Sequence, residues 1–363
     1  MSRTLKVAIV QEPAAVLDLA ESVRRAERHI RTAAAEGAQL IAFPEVWLTC
    51  YPSWVFALAG WDQAEARHWY GRFVEESAEV RSEALDPVRK AARDAGVVVV
   101  LGMNERASAG SGSLYNSLLT LGTSGETLNV HRKLIPTHTE RIAWRPSPDA
   151  TGLRVLDPGF GRLGGLICWE HWQPLIRQTL HFEHEEVHVA AWPNVADIEL
   201  LASRSYAFEG RCFVLAAAQY LTSDDVPQEL HDAFRAGIGA DVPVTGTWFT
   251  GGSGIVGPDG EWTRAPLRGN AGIIYDDLDL SQATAYKHDL DSGGHYSRAD
   301  IFSLTVHREA RPDVSWVESS DGTATRLDAG DRKQHRGDMA EAEAKREPRW
   351  QQKPAEAECV VAG

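Results

Sequence analysis

The sequence predicts an α/β fold, a four-layer α-β-β-α sandwich of two packed sheets with helices outside. Three observations lead there. Short, wholly apolar runs alternate with segments of helical periodicity, the pattern of strands buried on both faces and covered by helices. The order strand, helix, strand occurs before Leu121 and again after Leu163, giving two similar halves. Several apolar runs stop abruptly at a polar or reactive residue, as strands do where α/β sheets gather their sites.

Residues 7–10 read as the first buried strand. Asp18 then caps a helix, with Glu21 three residues on as the second half of a capping box. Val23, Ala26, Ile30, Ala33 and Ala34 follow at helical spacing, and Gly37 falls where the helix ends. Residues 40–43 are the next strand, which delivers Pro44 and Glu45 to its C-terminal end. A second helix is expected over 80–95, with strands over 97–101 and 117–121. In the second half, strands are expected over 163–167, 187–192 and 212–217, with helices over 174–183 and 198–210 between them. Residues 253–256 and 272–276 are expected to form a final pair around the turn Pro258-Asp259-Gly260.

With 363 residues, 43% of them hydrophobic, the chain can bury a large core. The repeated patterns favour one compact domain over 1–318. From about Ser319 onward, residues 319–363 are rich in charge and alanine with few large apolar side chains, the composition of a flexible charged tail. The formal net charge of −14 argues against nucleic acid or an anionic membrane as partner, since phosphate binding needs clustered Lys and Arg. Cys50, Cys168, Cys212 and Cys359 are too far apart for a CxxC pair, which disfavours a disulfide framework or a thiolate zinc site. The apolar run at 7–10 is too short for a signal-peptide core, and no stretch is long enough to span a bilayer, so a reducing cytoplasm is expected.

Three stretches could carry chemistry. Cys168 ends the run Leu163–Ile167 at a strand-to-helix turn, where backbone N–H groups favour an anion and bias the thiol toward thiolate. The plainer alternative is a buried structural cysteine, a reading that fits Cys212 well. Glu45 ends another strand, with Pro44 before it and Trp47, Tyr51 and Trp54 after it; a partly dry setting raises a carboxylate toward the range of a general base. A surface-loop carboxylate is the alternative. Between His131 and Arg141, basic and acidic residues alternate with apolar ones and a proline, unlike a solvated charge face. A buried Lys133 there could hold positive charge over a developing anion; otherwise this is a charged loop held by ordinary ion pairs.

Together these stretches resemble the nitrilase superfamily, in particular its nitrilase branch. Gly37, Leu40, Ile41, Phe43, Glu45, Tyr51 and Pro52 match the family's glutamate motif, and His131-Arg132-Lys133-Leu134-Ile135-Pro136-Thr137 matches its lysine motif. Gly164-Gly165-Leu166-Ile167-Cys168-Trp169-Glu170-His171, with Pro174, Leu175 and Arg177 beyond, matches the cysteine motif. Trp169 after the cysteine is closer to nitrilases than to the amidase branches. Asn104-Glu105-Arg106, Tyr115-Asn116 and His295-Tyr296-Ser297-Arg298 are also similar to nitrilase segments, so the likeness covers roughly residues 5 to 307. Two departures stand out. Cys50 occupies a position where the family usually has Gly, and Arg145-Pro146-Ser147-Pro148-Asp149 replaces a Gly-rich stretch.

The resemblance implies hydrolysis of an organic nitrile to the carboxylic acid and ammonia. Cys168 would be the nucleophile, Glu45 the base, Lys133 the charge stabiliser, and Glu140 the residue that positions lysine and substrate. It implies no metal and no organic cofactor. It also implies a homo-oligomer, a dimer extending to a higher assembly or helical filament. Trp47, Tyr51, Trp54, Trp61, Trp169 and Trp192 are the candidates to line the substrate pocket, some of them being simply core, and Tyr51, Trp54, Trp169 and Trp192 are singled out as substrate-binding; so many aromatics favour an aromatic or arylaliphatic nitrile. A cyanide-degrading enzyme or an amidase are alternatives within the superfamily. A metal-dependent hydrolase built on His181, His184 and His188 is the alternative from another class, but the spacing is not HExxH and a strand over 187–191 would take His188 off the helix. A non-catalytic assembly protein is the third. Gly251-Gly252-Ser253-Gly254 lacks the Lys of a phosphate loop, and no GxSxG elbow is present.

Overall fold

The computed structural model describes residues 3–309, together with Val317–Glu318 and Thr325–Arg326, which pair antiparallel. One compact unit runs to Glu309. Apart from Thr325–Arg326, the expected tail over 319–363 lies outside the described residues.

The body's strands in chain order are β1 (Thr4–Gln11), β2 (Leu40–Ala42), β3 (Val98–Arg106), β4 (Leu114–Leu121), β5 (Thr127–Arg132), β6 (Leu163–Ile167), β7 (Val187–Ala191), β8 (Phe213–Ala217), β9 (Tyr220–Thr222), β10 (Thr247–Val256), β11 (Trp262–Arg268) and β12 (Gly272–Asp279). Its α-helices are α1 (Leu19–Ala35), α2 (Trp54–Ala57), α3 (Ala64–Glu75), α4 (Asp86–Ala95), α5 (Pro174–Phe182), α6 (Asp197–Gly210), α7 (His231–Ile238) and α8 (Ser281–Ala285). The first sheet has the order β12-β1-β2-β3-β4-β5, and the second β11-β10-β8-β7-β6 with β9 added beside β10.

Strand alternation builds the layers. On one face of the first sheet Val7, Ile9, Leu40, Ala42, Val98 and Val100 pack with Leu166, Val187, Val189 and Leu215 of the second sheet. On the other face Ala8, Val10, Ile41, Val99 and Leu101 pack with Val23, Ala26 and Ile30 of α1 and Val88, Ala91 and Ala92 of α4. Leu180 of α5 and Ala202, Tyr206 and Ala207 of α6 cover the second sheet from outside. The four layers are therefore helices, sheet, sheet and helices, as the sequence predicts.

The α1 cap is as expected at one end only. Glu21 N donates to Asp18 Oδ1 over 2.8 Å, but the Glu21 side chain turns outward to Arg24 and Arg25 instead of closing the box. The helix expected over 80–95 is shorter. A 3₁₀ turn, Glu83–Leu85, begins where Ser82 Oγ accepts from Ala84 N, and α4 starts beside Pro87, whose fixed φ suits a first turn. The final strand pair is a correction. β10 folds back on β11 around Pro258-Asp259-Gly260, whereas β12 crosses to the first sheet and runs antiparallel to β1, with Val10 opposite Ile273. β11 is half exposed and carries Arg264 and Arg268, so it has no apolar run to mark it. Ile273 and Ile274 point to opposite faces, one toward each core cluster, as a strand in the sandwiched sheet requires.

Candidate active site

Strand ends place the reactive residues. Glu45 follows β2, Lys133 follows β5 directly, and Cys168 follows β6 directly. Glu140 sits in a 3₁₀ turn, His138–Ile142, and takes the Thr137 N–H on Oε2 over 2.7 Å. All four side chains are buried. Carboxylate oxygens of Glu45 and Glu140 and the Cys168 sulfur lie within 4.8 Å of one another.

Lys133 ties the group together. Its Nζ donates to Glu45 Oε1 over 2.9 Å and to Glu140 Oε2 and Oε1 over 2.8 and 3.1 Å. Burial alone would drive the ammonium toward its neutral form, but the Cys168 sulfur and the two carboxylates hold it well above its ordinary value. Burial lifts the Glu45 carboxyl to about 7; Lys133 opposes this and Glu140 adds to it. Glu45 Oε1 also accepts from Asn116 Nδ2 over 2.6 Å, while Oε2 is buried with no partner among the described residues. One oxygen is therefore anchored, and the other is free to take a proton.

The Cys168 thiol differs from expectation. Burial first, and then the Glu45 carboxylate, push it well above the ordinary thiol range, against the pull of Lys133 and the Trp169 N–H. A strand-to-helix turn does not by itself yield a thiolate here, because the thiol is dry and faces carboxylates. Such a thiol needs a base before it can act as a nucleophile, and a Glu45 carboxylate oxygen lies within 4.8 Å of it. The turn is tight: Cys168 opens a 3₁₀ segment, Cys168–Trp172, with φ of 53°.

The surrounding loops are held by side chains that sequence reasoning quoted only as family-like segments. Val46, Thr49 and Cys50 have φ of 40°, 70° and 72°. Asn104 Nδ2 donates to the Leu48 and Cys50 carbonyls and to Thr49 Oγ1, and its Oδ1 accepts from Trp144 Nε1 over 3.0 Å. Glu170 links the cysteine turn to the lysine segment, accepting from Ile167 N, His131 Nε2 and Leu134 N at 2.8–2.9 Å. Against burial, which would raise it, His131 and those two amides keep the Glu170 carboxyl low. Gln219, missed from the sequence, donates to the Glu45 backbone carbonyl and meets Cys50 Sγ at 3.1 Å. It stands two residues beyond β8, a buried polar residue at a strand end, and that position was its only signal.

The aromatic candidates separate. The Tyr51 hydroxyl donates to Glu140 Oε1 over 2.7 Å. Trp54 meets Phe73 edge-on and, with Val55, Leu58, Trp61, Tyr70 and Ile142, lines a cavity of about 430 Å³. Trp61 is 97% exposed. Trp169 is half exposed, and its backbone N–H draws the Cys168 thiol down. Trp192 is fully buried, tilted on His171 with its Nε1 on Ser203 Oγ, and Trp47 is a core residue bonded to the Glu12 carbonyl. His188 lies on β7, away from the helix that carries His181. Among the described residues, the only His, Cys, Asp and Glu group with metal-like spacing is Glu45, Glu140 and Cys168, and the Lys133 ammonium already occupies its carboxylates.

The profile of the carbon-nitrogen hydrolase family matches residues 6–288. The chain is 36% identical to an aliphatic nitrilase of Rhodococcus rhodochrous, over 88% of this chain and 87% of that protein. It is 34% identical to an arylacetonitrilase of Aspergillus kawachii, over 86% and 95%. Among solved structures, the carbon-nitrogen hydrolase of Helicobacter pylori G27 superposes with a TM-score of 0.63 at 16% identity, covering 83% of this chain and 97% of that one. A branch 10 member of the nitrilase superfamily from Saccharomyces cerevisiae gives 0.60 at 18% identity, over 79% and 94%. The two-sheet sandwich, the glutamate, lysine and cysteine at its strand ends and these likenesses agree: the chain belongs to the carbon-nitrogen hydrolase family, within the nitrilase superfamily.

Proposed function

We propose that the chain is a nitrilase, converting an organic nitrile and two waters to a carboxylic acid and ammonia through covalent intermediates on Cys168. The observation that carries this is the unpartnered Glu45 Oε2, close to a buried thiol and backed by a lysine cation. The thiol sulfur bonds to the nitrile carbon while its proton passes by way of Glu45 to the nitrile nitrogen, giving a thioimidate. Water that loses a proton to Glu45 adds to that carbon, and Lys133 offsets the charge of the tetrahedral adduct. Glu45 passes that proton on to the nitrogen, the adduct's hydroxyl proton follows as the C–N bond breaks, ammonia departs, and a thioester and an ionised Glu45 remain. A second water, again deprotonated by Glu45, releases the acid and restores the thiol. Glu140 holds Lys133 in place and is itself held by Tyr51 and the Thr137 amide.

The cavity beside Trp54 supports an aryl or arylaliphatic nitrile. Trp54, three residues after Tyr51, and Ile142, two after Glu140, both line it. The relatives' names span aliphatic nitrilase and arylacetonitrilase, and a substrate panel decides between them. The test is ammonia and acid release from aliphatic, arylaliphatic and aromatic nitriles, their amides and cyanide, by wild type and Cys168→Ala. Activity on nitriles that vanishes in the variant is expected. Full activity in Cys168→Ala, or activity on amides or cyanide alone, overturns the reading.

A homo-oligomer above the dimer, extending to a filament, is part of the same proposal. Leu175, Leu201 and Phe208 on α5 and α6 stand 69%, 55% and 48% exposed, apolar surface that a second copy would cover. Size-exclusion chromatography with negative-stain imaging tests it; a monomer at working concentration refutes it. No helix among the described residues is long and apolar enough to cross a membrane. Cys50, Cys168 and Cys212 are free thiols, which supports a reducing, cytoplasmic setting.

A further inference from the structure

A chain of buried polar side chains runs from the Cys168 backbone into the layer between the second sheet and its helices. His171 Nδ1 lies 2.7 Å from the Cys168 carbonyl oxygen, and His171 Nε2 lies 3.0 Å from His188 Nε2. His188 Nδ1 lies 2.8 Å from Glu185 Oε2, and the Tyr206 hydroxyl donates to Glu185 Oε1. All four side chains are buried, three of them without any exposure.

Donor and acceptor chemistry fixes the protons. A carbonyl oxygen only accepts, so His171 Nδ1 carries hydrogen. The Glu185 carboxylate already accepts from Tyr206, so His188 Nδ1 carries hydrogen as well. The bond between the two Nε2 atoms needs one more. Three protons on four ring nitrogens give the histidine pair one positive charge, balanced by Glu185. Burial, and then neighbouring His188, hold His171 well below the usual imidazole range. Burial would raise the Glu185 carboxyl, but His188 and His181 hold it at about 2.

Other groups close the relay in. From α5, Arg177 Nη1 donates to the His171 carbonyl over 3.0 Å and His181 approaches Glu185 to 3.5 Å; from α6, Glu209 meets Arg177 at 2.8 Å and His181 at 3.7 Å. The Tyr206 ring lies on His188 at 3.9 Å between centroids. A Cβ on Gly164, the first glycine of the cysteine motif, would overlap Glu185 Oε2, so that position must be bare for the relay to fit.

The far end of the relay bears on the nucleophile. In a trans peptide the C=O and N–H point in opposite directions. With the Cys168 carbonyl oxygen held by His171, the N–H of the same peptide, that of Trp169, points away from His171, and it draws the Cys168 thiol down against its burial. The left-handed backbone of Cys168 needs an outside hold to persist, and a charged hydrogen-bond chain polarises the peptide it grips. We propose that His171, His188 and Glu185 form a charged positioning relay that aims the Trp169 N–H at the Cys168 sulfur, stabilising its thiolate. The proposal rests on Cys168 being the nucleophile.

His171→Asn keeps a donor near the Nδ1 position, whereas His171→Leu removes it at similar size. For each, kcat and KM are measured on a turned-over nitrile, and alkylation of Cys168 by iodoacetamide is followed across pH by mass spectrometry. Direct removal of a donor to a developing anion costs roughly a hundredfold or more, so losing its support is expected to lower kcat about tenfold in the Leu variant. Its KM should hold, and its alkylation profile should move to higher pH by on the order of one unit. Asn should restore most of both. Should the Leu variant not fold, His188→Gln, which keeps a neutral donor and drops the charge, is expected to show the same upward displacement. Equal losses in Asn and Leu, or an unmoved alkylation profile in a folded His171→Leu or His188→Gln variant, overturn the proposal. Full activity in Cys168→Ala instead overturns the nucleophile assignment, a separate result.

Discussion

Lys133 Nζ lies 2.9 Å from Glu45 Oε1, and neither side chain has any exposure to solvent. An ammonium bonded to two carboxylates in a dry site stays charged, so the group that changes protonation at working pH is Glu45. Its neighbours divide its oxygens, with Oε1 held by Lys133 and Asn116 and Oε2 open.

This sets the pH dependence of the reaction. Glu45 accepts a proton only when ionised, and its proton leaves near pH 7. The value of kcat/KM should therefore rise with pH through about 7. Below about pH 6 it should fall roughly tenfold per unit, the slope of a single essential base. A flat profile from pH 5.5 to 8 on a substrate whose chemistry limits the rate would remove Glu45 from that role.

The same shift has a cost in stability. A carboxyl raised from 4.5 to about 7 on folding makes its favourable contribution fully below the unfolded value, and loses it as pH rises through the folded one. At pH 8.5 the buried charge is a burden, so Glu45→Gln should be inactive yet more stable by roughly 1–3 kcal/mol. Lys133 keeps Glu140 as its partner. The gain should shrink as pH is lowered from 8.5 toward 5, measured by urea unfolding at each pH; a gain that grows instead refutes the sign.

The sequence disclosed what local pattern carries. The apolar runs ending at Phe43 and Ile167 marked two strands, and the residues just beyond them marked the site. What escaped depends on distant partners. β11 is half exposed and basic, so only its pairing with β10 makes it a strand, and β12 could not be assigned to β1 without the closed sandwich. α3 buries only Trp69 and Phe73, too few for a visible stripe. The thiol's direction was misjudged because local turn geometry favours an anion, whereas the buried carboxylates opposing it come from other segments. Left-handed backbone at Val46, Thr49 and Cys50, none of them glycine, leaves no trace in composition.

Gly102 is where the Glu45 loop meets β3. A Cβ there would overlap the Pro44 carbonyl oxygen and crowd Val46 N, both backbone atoms with little freedom to yield. Gly102→Ala should destabilise by about 1–3 kcal/mol and lower kcat by displacing Glu45. Urea unfolding and nitrile kinetics on one preparation check both. Wild-type values for the two together would show that the loop adapts freely.

Cys50 tests how much strain that loop stores. Its φ of 72° costs an ordinary residue roughly 1–2 kcal/mol, and the Asn104 amide on the Cys50 carbonyl helps to hold it there. Glycine escapes the steric cost but loses about 0.5–1 kcal/mol in chain entropy. It also gives up the 3.1 Å contact of Sγ with Gln219. Cys50→Gly should therefore unfold within about 1 kcal/mol of wild type and keep its nitrile activity. A β-branched side chain fits this backbone region worst, so Cys50→Val should lose about 2 kcal/mol or more. Equal stability of the Gly and Val variants in urea would mean that the loop relaxes, and that the thiol is not held there against its backbone preference.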